Sequence, residues 1–184
     1  SDVYKRQFIM TDLPFMSYAT LNDALQSAKK VMQAGAQMIK IEGGAWLSES
    51  VRVLTQNGIP VCVHLGLTPQ SVHVFGGYKL QARTREAADQ LIADCTAVVD
   101  AGAAILLLEC VPAQLGQEIA ELFPNIPVIG IGAGHQTDGQ VLVVQDMLGL
   151  TFGRVARFVR NFMKEQSGET AIVDAFKAYH AAVQ

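Results

Sequence analysis

The chain has 184 residues, half of them hydrophobic, with 16 glycines and a formal net charge of −3, a composition that fits about one soluble globular domain. It offers no basic field for nucleic acid or anionic membrane, and its apolar runs fall far short of the ~20 residues a membrane span needs. Three cysteines, Cys62, Cys95 and Cys110, lack C-x-x-C spacing, which favours reduced thiols in a cytoplasm over a disulfide framework or structural zinc.

The first residues, "SDVYKRQ", carry no apolar period and run directly into "FIMTDLPF". Residues 1–7 read as a foreign leader or scar, and 8–184 as the domain. From Phe8 the chain alternates strand and helix. A strand at Phe8–Asp12 leads to a helix in which Leu21, Ala24, Leu25, Ala28, Val31 and Met32 keep the 3.6 period, with Thr20 or Asn22 as cap and Gly35 as stop. A strand at Met38–Glu42 precedes a helical stretch at Trp46–Gln56, and a strand at Val61–His64 precedes one at Glu86–Asp100. A strand at Ile105–Glu109 precedes a helix at Gln114–Leu122, and strands at Val128–Ile131 and Leu142–Val144 follow. "NGIP", "AGA" and "FPNIP" close the helices. The spacing predicts parallel βαβ units.

Further along, "GIGAG" at Gly130–Gly134 lacks the dinucleotide fingerprint and reads as a close backbone approach. Asp138 and Gly139 read as turn residues, "RVARFVRNF" as an amphipathic helix with a solvated basic face, and Cys62 and Cys110 as small core fillers.

Two stretches raise a question of chemistry. "AGAQMIKIEG" and "AGAAILLLEC" both pass from a helix end into an apolar strand that closes on a glutamate, seven residues after the glycine. Burying an unpaired carboxylate costs several kcal/mol, so Glu42 and Glu109 need partners or a task. Side chains alternate across a strand. Met38, Lys40 and Glu42 therefore share a face, as do Ile105, Leu107 and Glu109, Cys62 and His64, and Phe8, Met10 and Asp12. Four strands deliver Asp12, Lys40, Glu42, His64 and Glu109 to one end of a sheet.

A (β/α)8 TIM-type barrel fits this best, because its functional groups come from the carboxyl ends of several strands. A doubly wound open sheet is the rival. Six strands are visible, so the expected architecture is a barrel lacking about its first two βα units. Two carboxylates ~4 Å apart repel by roughly 4 kcal/mol at an effective dielectric of 20, so Asp12, Glu42 and Glu109 call for a divalent cation or a retained proton. All-oxygen donors favour magnesium. Glu109, on the more apolar strand, is the better general base. His64, taken alone, reads as a core histidine and stays outside the expected site.

"TDLPFMSYA", "MIKIEGG", "PVCVHLGLTPQSVHVFGGYK", "LLLECVP" and "VIGIGAG" closely resemble the 3-methyl-2-oxobutanoate (ketopantoate) hydroxymethyltransferase family, over about the whole chain from Phe8 onward. The resemblance implies a magnesium-dependent (β/α)8 barrel of pantothenate biosynthesis. Such an enzyme moves a hydroxymethyl group from 5,10-methylenetetrahydrofolate to 3-methyl-2-oxobutanoate, giving 2-dehydropantoate. It further implies Asp12 as a magnesium ligand that also meets the keto acid, Glu42 on the metal side through water, Lys40 on the substrate and Glu109 as proton acceptor. His64 would orient a substrate or a proton-shuttling water. The family's Asp-Ser pair from an earlier strand, a metal ligand and substrate contact, has no equivalent before Phe8. The resemblance also implies a cytoplasmic homo-oligomer, a decamer in bacteria. Two alternatives accompany it: a magnesium-dependent keto-acid lyase or mutase on the same barrel, and an inactive fragment serving only as an oligomer component.

Overall fold

The computed structural model describes residues 7–184. Strand β1 (Met10–Asp12) is followed by α1 (Leu21–Gln33), β2 (Met38–Glu42), a 3-10 turn at Ala45–Leu47 that runs into α2 (Ser48–Gln56), and β3 (Val61–Gly66). A second 3-10 turn, Pro69–Ser71, enters α3 (Val72–Phe75); then come α4 (Arg85–Asp100), β4 (Ile105–Glu109), α5 (Ala113–Leu122), β5 (Val128–Ile131), β6 (Gly139–Gln140), α6 (Val144–Met147) and α7 (Ala171–Val183). The helix starts are set locally. Thr20 accepts a hydrogen bond from the Asp23 N–H, and Thr84 from the Ala87 N–H, each satisfying an otherwise orphaned donor in the first turn.

Among the described residues six strands pair in the order β1-β2-β3-β4-β5-β6, every pair parallel. A doubly wound sheet must reverse its strand order at a switch point. This one never does, and the sequential order is that of a half-barrel. The alternation read from the sequence holds. Ile39, Ile41, Val61, Val63, Leu106, Leu108 and Val128 face the helices and form one core with Ala24, Ala28, Leu54, Leu91, Val98 and Ile119. Met38, Cys62, Leu107 and Ile131 form a smaller cluster on the opposite face. No helix among the described residues is long and apolar enough to cross a membrane.

Several expectations need correction. Leu142–Val144 is not a strand: β6 lies earlier, at Gly139–Gln140, and Val144 opens α6. Asp138 and Gly139 are therefore more than a turn, since Asp138 exchanges bonds with Val128 through both its N–H and its carboxylate, at 2.9 and 2.8 Å. A two-residue strand that begins with glycine carries no alternation for a periodicity argument to find, and the branched run beside it misleads. "RVARFVRNF" forms no helix. Its aromatic side chains are claimed by separate contacts: Phe158 lies against Gly132, and Phe162 packs with Met147 and Ala175. Asn161 also bonds the Met163 N–H with its side chain, competing with helical pairing. The proposed leader, residues 1–7, lies outside the described residues except for Gln7.

The glycine reading holds. A Cβ on Gly132 would fall 2.6 Å from the Phe158 ring, so "GIGAG" is a close backbone approach. Cys62 is a core filler as expected, fully buried, with its thiol pushed up by burial to about 12; Cys110 is not, since it is only partly buried and lies outside the core clusters.

Candidate active site

The parallel register sets the height of each polar side chain on the helix-free face. Asp12 lies level with Lys40, Glu42 with His64, and Glu109 with Gly66, two residues beyond His64's own partner Leu107. The polar groups thus climb along the strand ends as the sheet proceeds. They touch in sequence. The Lys40 ammonium pairs with the Asp12 carboxylate and lies 4.0 Å from Glu42 Oε1. His64 Nδ1 lies 3.7 Å from the same Oε1 and 3.5 Å from Lys40 Nζ. On its other side, His64 Nε2 stands 3.2 Å from Glu109 Oε2.

Burial separates the members. His64 is 3% exposed and Glu42 8%, whereas the Asp12 side chain is 61% exposed. The Lys40 side chain is only 13% exposed, so water screens this pair from the Asp12 end alone. Glu42 is different. Its Oε2 accepts a hydrogen bond from the Gln70 backbone N–H at 2.9 Å, while Oε1 faces Lys40 and His64. A buried carboxylate is thereby compensated on both oxygens, as its desolvation requires.

His64 is the residue the sequence reading left out. Its Nε2 is near Glu109 but out of line for a hydrogen bond, and it is the one buried side-chain polar atom among the described residues without such a partner. A buried ring nitrogen with no aligned partner is an unmet hydrogen-bonding position beside the Glu109 carboxylate. The signal was present in the sequence: His64 alternates with Cys62, so it shares a face with Glu42 on the neighbouring strand.

Gly66 keeps the opposite side of Glu109 clear. With φ at +84°, a Cβ there would lie 2.4 Å from the Glu109 carbonyl oxygen. The next residue, Cys110, takes a φ of +49°, unusual for a side chain with a Cβ. Its N–H bonds Ile131 O at 2.9 Å and its carbonyl accepts from Gln81 at 2.8 Å. Glu109 is thus held by bonds from β5 and from the segment ahead of α4.

All five residues expected at one sheet end are there. They form a row in which carboxylates alternate with nitrogen groups instead of a ready cage: among the described residues no three His, Cys, Asp or Glu side chains are grouped to hold a metal. A cavity of about 450 Å³ lies elsewhere, lined by Trp46, Gly66, Phe75, Gln90, Leu91 and Asp94 among others, and none of the five reaches it.

Residues 2–184 match the sequence profile described as ketopantoate hydroxymethyltransferase. The chain belongs to that family. It is 93% identical over 176 residues to a 3-methyl-2-oxobutanoate hydroxymethyltransferase of Acinetobacter baumannii (strain AYE), covering 96% of this chain and 65% of the relative. To the Pseudomonas fluorescens (strain SBW25) protein of the same name it is 57% identical over 178 residues, covering 96% of this chain and again 65% of the relative. The chain therefore spans about 65% of the length of these curated relatives. A putative deoxyribose-phosphate aldolase from Coccidioides immitis shares the fold at a TM-score of 0.53 and 11% identity, over 97% of this chain and 70% of that one.

Proposed function

We propose that this chain supplies the larger part of an enzyme that transfers a hydroxymethyl group from 5,10-methylenetetrahydrofolate to C3 of 3-methyl-2-oxobutanoate, giving 2-dehydropantoate. The observation that carries the reading is the row Asp12, Lys40, Glu42, His64 and Glu109 along four consecutive strand ends, in a chain of this family. In the same reading the half-barrel is an arc of a (β/α)8 barrel, closed by strands within the further length of the relatives, and the assembled enzyme is a cytoplasmic homo-oligomer.

Glu109 takes the proton from C3. Its carboxylate is the group at the far end of the row from Asp12, flanked by Ile131 and Leu107 on the same face, a setting that keeps water from competing for the proton. The carbanion then bonds to the methylene carbon of the folate, and one water balances the release of product and tetrahydrofolate. Lys40 supplies positive charge to the keto acid's developing oxyanion. His64, between Glu42 and Glu109, orients the base and holds the exchanged proton or a water.

The donor set suits a hard divalent ion. Two carboxylates come from adjacent strands, and oxygen donors of this kind suit magnesium. Asp12 would hold magnesium directly and Glu42 through water, with substrate oxygens and water completing the shell in the manner usual for this ion. When bound there, magnesium withdraws electron density from the keto acid and acidifies its C3 proton.

The reading is tested in a chimaera that sets residues 8–184 into the frame of the full-length Acinetobacter baumannii relative. Hydroxymethyl transfer dependent on both substrates supports it. Turnover of a keto acid by cleavage, with no folate requirement, sinks it in favour of a lyase. Within that chimaera Asp12→Asn should be the more damaging change at the metal. Glu42→Gln should lower magnesium affinity by ~10–100-fold, the usual loss for an outer partner, and recover much of its rate in excess magnesium. Magnesium titrations that show Glu42→Gln to be the worse variant reverse the two roles.

A further inference from the structure

Gln70, from "GLTPQS" after β3, makes more contacts with this site than its distance in sequence suggests. Its backbone N–H donates to Glu42 Oε2 at 2.9 Å, its side-chain Nε2 donates to the Leu13 carbonyl at 3.0 Å, and its Oε1 accepts from the Tyr18 hydroxyl at 2.6 Å. The Tyr18 oxygen in turn accepts from the Glu42 backbone N–H at 3.3 Å. Leu13, the residue after Asp12, donates to the Lys40 carbonyl at 2.9 Å. The directions are fixed by chemistry. A backbone carbonyl can only accept, so the amide nitrogen must face Leu13 and its oxygen Tyr18; the hydroxyl then donates to Gln70 and is free to accept from Glu42.

The geometry points to Gln70 as a positioning residue that locks Asp12 and Glu42 to a common frame by tying together the exit of β1, Tyr18 and the end of β2. Asp12 itself is mostly exposed, and among the described residues its charged partner is Lys40. A carboxylate so placed cannot hold a fixed distance from Glu42 unless the backbone that carries it is held. Gln70 does this from the adjacent residue. Tyr18, 5% exposed and stacked on Trp46 with ring centroids 6.5 Å apart, anchors the other end. The inference deepens the proposed transferase reading, because a fixed Asp12–Glu42 separation is what a shared magnesium would need.

Two variants of the chimaera test it. Gln70→Leu keeps the approximate volume and removes both side-chain bonds; Tyr18→Phe removes only the hydroxyl. Each should raise the half-saturating magnesium concentration about 10-fold or more, with the KM for 5,10-methylenetetrahydrofolate held within about 2-fold. A merely structural role would reduce the active fraction and leave the magnesium midpoint in place, and that result overturns the inference. Because both variants cut one relay, the double variant should lose no more than the worse single one; additive losses also overturn it. Hydrogen exchange decides the matter without turnover. Amides at 13–18 and near Glu42 should exchange faster in both variants, while α5 stays at the parent rate. Changes confined to 69–75, or spread evenly over the chain, refute the tie. If the parent chimaera makes no product, the transferase reading fails by itself, and the exchange pattern with manganese binding by electron paramagnetic resonance still judges Gln70.

Discussion

Glu109→Gln in the full-length chimaera should abolish exchange of the C3 proton of 3-methyl-2-oxobutanoate into heavy water, measured without folate. The expected loss is ~10²–10⁴-fold, the usual contribution of a positioned general base. The amide is isosteric, so the ladder bonds that hold the residue, Cys110 N–H to Ile131 O and Gln81 N–H to Cys110 O, should survive with magnesium affinity nearly intact. The exchange assay isolates the first proton transfer from carbon–carbon bond formation. Exchange at the parent rate removes Glu109 from the role of base. His64 gives the contrast: with Nε2 3.2 Å from Glu109 but no aligned bond to it, its loss should slow exchange without erasing it.

The parts of this molecule that were legible in its sequence are those in which one physical rule acts alone. Alternation along Met38–Glu42 and Ile105–Glu109 placed Lys40, Glu42 and Glu109 on one face, because a strand five residues long that is buried against helices leaves no other phase. The limits of α1 followed from Thr20 and Gly35 for equally local reasons. The chain between Thr137 and Phe162 did not yield. There β6 is two residues long, and the apolar spacing of Val155, Phe158 and Phe162 imitates a helix while the side chains go to different neighbours. Tertiary contacts decided that region, and periodicity cannot see them. His64 and Gln70 fall between these cases. Each looks ordinary in its own segment, and each takes its meaning from Glu42, 22 and 28 residues away in the chain respectively. Register brings His64 level with Glu42; Gln70 arrives through a loop whose path no strand pattern specifies.

The 184-residue chain by itself should melt broadly, bind a hydrophobic dye and form no product from 3-methyl-2-oxobutanoate and 5,10-methylenetetrahydrofolate. The reason lies at the two ends of the strand order. Beside β1, Phe8, Ile9 and Met10 are 59%, 49% and 38% exposed, and beyond β6, Val141, Val143 and Val144 are 37%, 50% and 43% exposed. Fully burying one such side chain is worth ~1.5–3 kcal/mol, so covering even half of this surface would contribute several kcal/mol. The net stability of a domain is only ~5–15 kcal/mol, which makes that difference decisive for a cooperative transition. Among the described residues β1 and β6 also have no strand on their outer sides, and open sheet edges are a known route to aggregation. In the chimaera, the further third of the relative would supply the strands that pair with β1 and β6 and the groups that balance Asp12 and Glu42. A sharp melt and turnover should then appear together, whether that segment is joined in cis or added in trans. A cooperative melt and full activity from the 184-residue chain alone would show that its six strands already make a complete site, and the barrel proposed here would have to give way to a self-sufficient open sheet.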